Sequence, residues 1–76
     1  MTDVYIPKMG MSTIEVEVIE VLVGVGDTVT PDTTIAVIGG DKAEVEVAAG
    51  VDGVVCEVCV HDGQQSEIGK VIARIG

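Results

Sequence analysis

Three places in this sequence hold side chains that could do chemistry. Lys42, in Gly40-Asp41-Lys42-Ala43, offers a primary amine. Cys56 and Cys59 form a Cys-x-x-Cys pair, and His61 stands beside Asp62. An amine can attack a carbonyl, form a Schiff base or be acylated. A thiol pair can exchange disulfides or hold zinc, and an imidazole can move protons or bind a metal.

The thiols and the imidazole have weak claims. Residues three apart in an extended strand point to opposite faces. Cys56 is therefore expected in the core with Val54 and Val58, and Cys59 on the surface with Glu57. Neither a disulfide nor a shared metal fits that placement unless the strand breaks. Two reduced thiols suit a cytoplasmic or mitochondrial-matrix compartment. His61 is the single histidine. One imidazole does not build a metal site, so none is expected, and His61 reads as a solvated turn residue. No Gly-rich phosphate loop lies between a strand and a helix, which gives nucleotide binding no support. Lys8, Lys70 and Arg74 are scattered and read as solubilising charges, and Tyr5 as an edge residue.

Lys42 is the one basic residue placed at a turn between two clear strand patterns, and Gly39 and Gly40 let the chain turn before it. Asp41, Glu44 and Glu46 surround it in sequence. Acidic neighbours and a wet site keep an ammonium protonated, which disfavours a nucleophilic or Schiff-base role. Acylation by a dedicated ligase stays open, because that enzyme can deprotonate the amine in its own site. An ordinary solubilising turn lysine is the other reading, and charge alone favours it.

The elements that position these residues are strands. Runs rich in Val and Ile occupy residues 4–7, 13–23, 34–38, 43–47, 53–60 and 71–75, with short pieces at 28–30 and 64–65. Gly-containing breaks separate them. Alternation is period two: Ile14, Val16 and Val18 face one way, Glu15 and Glu17 the other. The phase slips at Val18-Ile19, where Glu20 would otherwise point inward, so a bulge is expected there. A weak repeat aligns Val23-Gly24-Val25-Gly26-Asp27 with Val58-Cys59-Val60-His61-Asp62, and Ile35-Ala36-Val37 with Val71-Ile72-Ala73. Two such halves predict an all-β flattened barrel or sandwich with quasi-two-fold symmetry, and the segment joining the halves contains Lys42.

Size and charge bound what such a fold can do. The 76 residues are expected to form one domain, 1–76, with 47% hydrophobic residues and no Phe or Trp. A chain this short has little protein to spare for a catalytic cleft and its support. The net charge of −9 disfavours nucleic acid and anionic membrane surfaces. No run approaches the ~20 apolar residues of a membrane span, and no secretory signal pattern opens the chain.

The segment Gly40-Asp41-Lys42-Ala43-Glu44-Val45-Glu46-Val47 resembles the lipoyl-attachment hairpin of the 2-oxo acid dehydrogenase acyltransferases. Four further segments are similar to that family in order and spacing: Ile6-Pro7-Lys8-Met9-Gly10, Val23 to Val29, Gly53-Val54-Val55 and Val60-His61-Asp62-Gly63. Two positions depart: Gly39-Gly40 stands where members often carry Glu-Thr or Glu-Gly, and Ala48 to Val51 lacks a common Pro. The resemblance implies two four-stranded antiparallel sheets, a barrel-sandwich hybrid. It implies a carrier, not an enzyme, with lipoic acid covalently on Lys42 and with Asp41 and Ala43 positioning that lysine for its ligase. Implied partners are a lipoate ligase or lipoyl transferase, a thiamine-diphosphate-dependent decarboxylase, an acyltransferase core and lipoamide dehydrogenase, in the cytoplasm or the mitochondrial matrix. It also implies that loop 25–30 lies beside the attachment hairpin, and the Gly24–Thr30 loop is then expected to help the decarboxylase choose the domain. Biotinyl domains share the fold but usually flank their lysine with Met, and no Met flanks Lys42. A biotin carrier, an unmodified adaptor sandwich and a redox module on the two cysteines are the alternatives.

Overall fold

β-branched residues at alternate positions make strands that bury one face, and two such faces close on each other here. The computed structural model describes residues 2–7, 15–40 and 44–76. The strands are β1 (Thr2–Tyr5), β2 (Glu15–Val21), β3 (Thr28–Val29), β4 (Thr34–Gly39), β5 (Glu44–Ala48), β6 (Gly53–Val58), β7 (Gln65–Glu67) and β8 (Val71–Ile75). They form two four-stranded antiparallel sheets, ordered β1-β8-β6-β3 and β5-β4-β2-β7. The body is elongated, 33 × 19 × 16 Å. Its core is aliphatic: Val18, Ile35, Ala36, Ile38 and Ile72 are fully enclosed, and no polar side chain is buried among the described residues.

Advancing every strand by four positions converts one sheet order into the other, which is the expected quasi-two-fold symmetry. For β2, β3 and β4 against β6, β7 and β8 the residue offset is 37, seen in the core pairs Val18/Val55, Ile35/Ile72, Ala36/Ala73 and Ile38/Ile75, whereas β1 maps onto β5 at an offset of 43, since Thr2 pairs with Ile75 and Val45 with Ile38. The backbone bonds repeat at the first of these offsets. The Gly26 N–H donates to the Val55 carbonyl (2.9 Å), and the Gly63 N–H to the Val18 carbonyl (2.6 Å). The Val55 N–H donates to the Asp27 carbonyl (2.9 Å), and the Val18 N–H to the Gln64 carbonyl (2.8 Å). This corrects the repeat read from residue identity. Gly26 (φ 97°) pairs with Gly63 (φ 80°), so Asp27 corresponds to Gln64 and not to Asp62. A backbone position that needs positive φ sets the alignment. The turn bonds agree: the Gly24 N–H donates to Asp27 Oδ2 (2.8 Å) and the His61 N–H to Gln64 Oε1 (3.1 Å).

The bulge expected at Val18-Ile19 is present. Register shifts between Val18 and Glu20, leaving Val18 enclosed and Ile19 and Glu20 both outside. Its symmetry mate lies between Val55 and Glu57, and it overturns the expected placement of the cysteines. Val55 faces the core, Val54 and Cys56 face out, and Cys56 and Cys59 are both exposed free thiols. The extra residue resets the alternation, which a strict period of two does not anticipate. Residues 13 and 14, expected to begin the second strand, lie outside the described residues, as do Lys8 and the segment Met9-Gly10-Met11.

Because Ile35 and Ile72 occupy equivalent enclosed sites, Ile35→Ala and Ile72→Ala should each lower unfolding free energy by about 2–5 kcal/mol. Urea titration of the two variants checks this, and the two losses should agree within about 1 kcal/mol.

Candidate functional site

The two halves of the molecule, β1–β4 and β5–β8, are joined through residues 40–43. Gly39 pairs with Glu44, so this connection closes the β4–β5 hairpin at one end of the sheet. Asp41, Lys42 and Ala43, the residues singled out from the sequence, lie outside the described residues. What is described is the platform on either side of them.

Inward residues of the hairpin hold it to the core. Ile38 is fully enclosed and faces Val45 across the strands, and Val47 is buried beyond it. The outward residues form rows across the sheet. One row runs Gln65, Glu17, Gly39, Glu44. The next runs Glu20, Val37, Glu46. On the far side of the first row, Glu15 stands directly opposite Glu67. All six of these glutamates are exposed. The two ion pairs among the described residues both belong to Arg74 on the other sheet, at 3.4 Å from Asp3 and 2.9 Å from Glu57.

Gly39 leaves room for Ile19 to lie over the strand. A Cβ there would come 2.7 Å from Ile19 Cδ1 and 3.2 Å from Ile19 Cγ1. The β2 bulge swings Ile19 to the outer face, where it lies across Gly39, next to the connection. Sequence reasoning missed this contact, although the phase slip at Val18-Ile19 and the glycine before the connection were both visible. The symmetry mate is similar in kind: a Cβ at Gly76 would meet Cys56 Sγ.

Loop 25–30 is not beside the connection. β4 begins at Thr34, whose end carries the turn bond from the Thr33 N–H to the Thr30 carbonyl (3.0 Å), and it finishes at Gly39. Six residues at ~3.3 Å each separate the two ends by roughly 17 Å. The expectation failed because β3 pairs with β6, beside Gly76, at the end of the molecule away from residues 40–43. The paired Thr2 and Ile75 also lie at that far end.

The other candidates do not assemble into a site. His61 is exposed, with Nδ1 3.1 Å from the Asp62 carbonyl oxygen, and Asp62 Oδ1 accepts a bond from the Val21 N–H (2.8 Å). Asp62 thus caps the end of β2. No group of His, Cys, Asp and Glu able to hold a metal occurs among the described residues.

Known proteins share this arrangement. Residues 2–75 match the biotin/lipoyl family, described as biotin-requiring enzyme. The chain is 40% identical over 72 residues to the dihydrolipoyllysine-residue acetyltransferase component of the pyruvate dehydrogenase complex of Haemophilus influenzae, covering 95% of this chain and 12% of that protein. It is 36% identical over 75 residues to the same component from Corynebacterium glutamicum, covering 99% of this chain and 11% of that protein. The chain thus spans about an eighth or less of these relatives' length. A solution structure of the lipoyl domain of the Azotobacter vinelandii 2-oxoglutarate dehydrogenase complex superposes with a TM-score of 0.76 at 25% identity, covering 96% of this chain and 95% of that one.

Gly39→Val should displace Ile19 and lower stability by about 1 kcal/mol, and adding Ile19→Ala should recover most of the loss. Thermal or urea unfolding of the single and double variants checks the coupling.

Proposed function

The chain belongs to the biotin/lipoyl attachment family, and we propose that it is a lipoyl carrier domain whose Lys42 holds the lipoyl group in amide linkage. One observation carries the choice of residue. Asp41-Lys42-Ala43 falls within the connection between the paired Gly39 and Glu44, at the end of a hairpin anchored by Ile38 and Val47. The residues around it suit presentation and not catalysis: Glu44 and Glu17, on either side of Gly39, are exposed carboxylates, and no titratable side chain is buried among the described residues.

Acylation of Lys42 requires its amine to lose a proton to the ligase and attack an activated lipoyl carbonyl. The new C–N bond forms as the activating phosphate ester leaves with its electron pair. The product is a neutral amide, so the acidic surroundings no longer have a cation beside them. When bound, the lipoyl group supplies a dithiolane that is reductively acylated, deacylated and reoxidised. The domain's own contribution is position. Thr2 and Ile75 pair at the end away from residues 40–43, so a tether at either terminus leaves the Lys42 end clear. Tethering in turn raises the arm's local concentration at each partner's site.

The partners in this reading are a lipoate ligase or lipoyl transferase, a thiamine-diphosphate-dependent 2-oxo acid decarboxylase, an acyltransferase core and lipoamide dehydrogenase. Support comes from the relatives, which are acetyltransferase components of pyruvate dehydrogenase complexes. Asp41 and Ala43 are the proposed recognition neighbours of Lys42. Lipoate is preferred to biotin because the tripeptide is Asp-Lys-Ala with no flanking Met.

Incubation with a lipoate ligase, and separately with a biotin ligase, followed by intact-mass measurement, tests this. One lipoyl adduct, no biotin adduct, and no adduct on Lys42→Gln are expected. A biotin adduct, or a lipoyl adduct that survives in Lys42→Gln, contradicts the reading.

A further inference from the structure

The two sheets differ in how they treat charge. On the outer face of β1-β8-β6-β3, Arg74 sits between Asp3 and Glu57 and neutralises part of their charge. On the outer face of β5-β4-β2-β7 stand Glu15, Glu17, Glu20, Glu44, Glu46 and Glu67, none of them in an ion pair among the described residues. Glu15 and Glu67 are directly opposed, an arrangement that lowers sheet stability. Two apolar side chains lie within this anionic face: Val37 between Glu20 and Glu46, and Ile19, 37% exposed and seated over Gly39 where β4 enters the connection. An apolar centre with a charged rim is the anatomy of a protein docking site.

We propose that this face is the docking surface for the ligase that acylates Lys42, with Ile19 as its apolar anchor and Glu17, Glu20 and Glu46 as its steering rim. The inference rests on the lipoyl-carrier reading above and adds the surface through which the modifying enzyme is recruited. The occupant is identified by charge complementarity. Making an amide from a carboxylate in water requires an activated acyl group, such as an acyl phosphate ester. An enzyme that holds such a phosphate lines its mouth with Lys or Arg. A cationic mouth meeting this face gains in encounter rate, and Ile19 in an apolar seat slows departure. Glu17, Ile19 and Gly39 lie beside one another on adjacent strands, so the anchor sits next to the segment that must enter the enzyme.

The test compares initial rates of lipoyl transfer, read by intact mass, at about 20 mM and about 300 mM salt. Glu17→Lys/Glu46→Lys changes the face. Asp32→Lys/Asp52→Lys changes net charge equally in exposed loops at the far end. The face variant should lose about tenfold or more in rate at low salt and recover most of it at high salt, while the far-end variant stays within about twofold of wild type. Ile19→Asp should be slow at both salt levels, and Ile19→Leu should restore the rate. Circular dichroism of each variant confirms that the fold is kept. Equal slowing by both charge variants, or no slowing by either, overturns the docking face. Ile19→Asp reacting at the wild-type rate overturns the anchor. Failure of wild type to accept lipoate at Lys42 is a different result, and it overturns the carrier reading itself.

Discussion

Each sheet of this domain takes its two central strands from one half of the chain and its two edge strands from the other. β8 and β6 of the second half are flanked by β1 and β3 of the first, and β4 and β2 of the first by β5 and β7 of the second. The turns at Gly26 and Gly63 complete the exchange, each bonding its backbone to the central strand of the opposite half. Neither half presents a finished sheet alone, so the β-branched core is enclosed only when both are in place. Without aromatic bulk in that core, stability depends on many close aliphatic contacts and a nearly complete backbone ladder.

That exchange also fixes which end of the domain the connection between the halves closes. The chain crosses from one half to the other once, through residues 40–43. On the opposite sheet the equivalent place is where Thr2 and Ile75 pair. One end of a nearly symmetric body therefore carries a continuous connection with a lysine, and the other carries the two ends of the chain. The symmetry is broken again in surface charge, because the sheet that bears the connection carries six exposed glutamates and its counterpart carries Arg74 between two acids. Under the carrier proposal, this asymmetry gives Lys42 an end of the domain to itself.

Much of the fold was legible in the sequence because period-two alternation of Val and Ile with Glu is a direct consequence of strand geometry. Glu20 exposed the first bulge by falling out of phase with Glu15 and Glu17. The second bulge had no such marker: Val54, Val55, Cys56 and Val58 are all apolar, so Cys56 was placed inside when Val55 takes that position. The repeat was detectable but misaligned, because matching the aspartates of Gly26-Asp27 and His61-Asp62 ignores that Gly26 and Gly63 are the residues with positive φ. Loop 25–30 lies at the end opposite to the one the resemblance implies, because β3 pairs with β6 of the other half, and such strand exchange leaves no local trace in residue order. At the site, charge and turn chemistry led only as far as an exposed lysine between strands. The tripeptide Asp41-Lys42-Ala43 pointed to acylation by resemblance, and the contact of Ile19 with Gly39 needed coordinates.

The central claim is that Lys42 is the residue this domain exists to present. Proteolysis of the protein isolated from its own cells, followed by mass spectrometry of the peptide that contains Asp41-Lys42-Ala43, addresses it most directly. The account predicts a lipoyl adduct on Lys42 and on no other lysine. An unmodified Lys42, a biotinyl adduct, or a lipoyl group on Lys8 or Lys70 would contradict it.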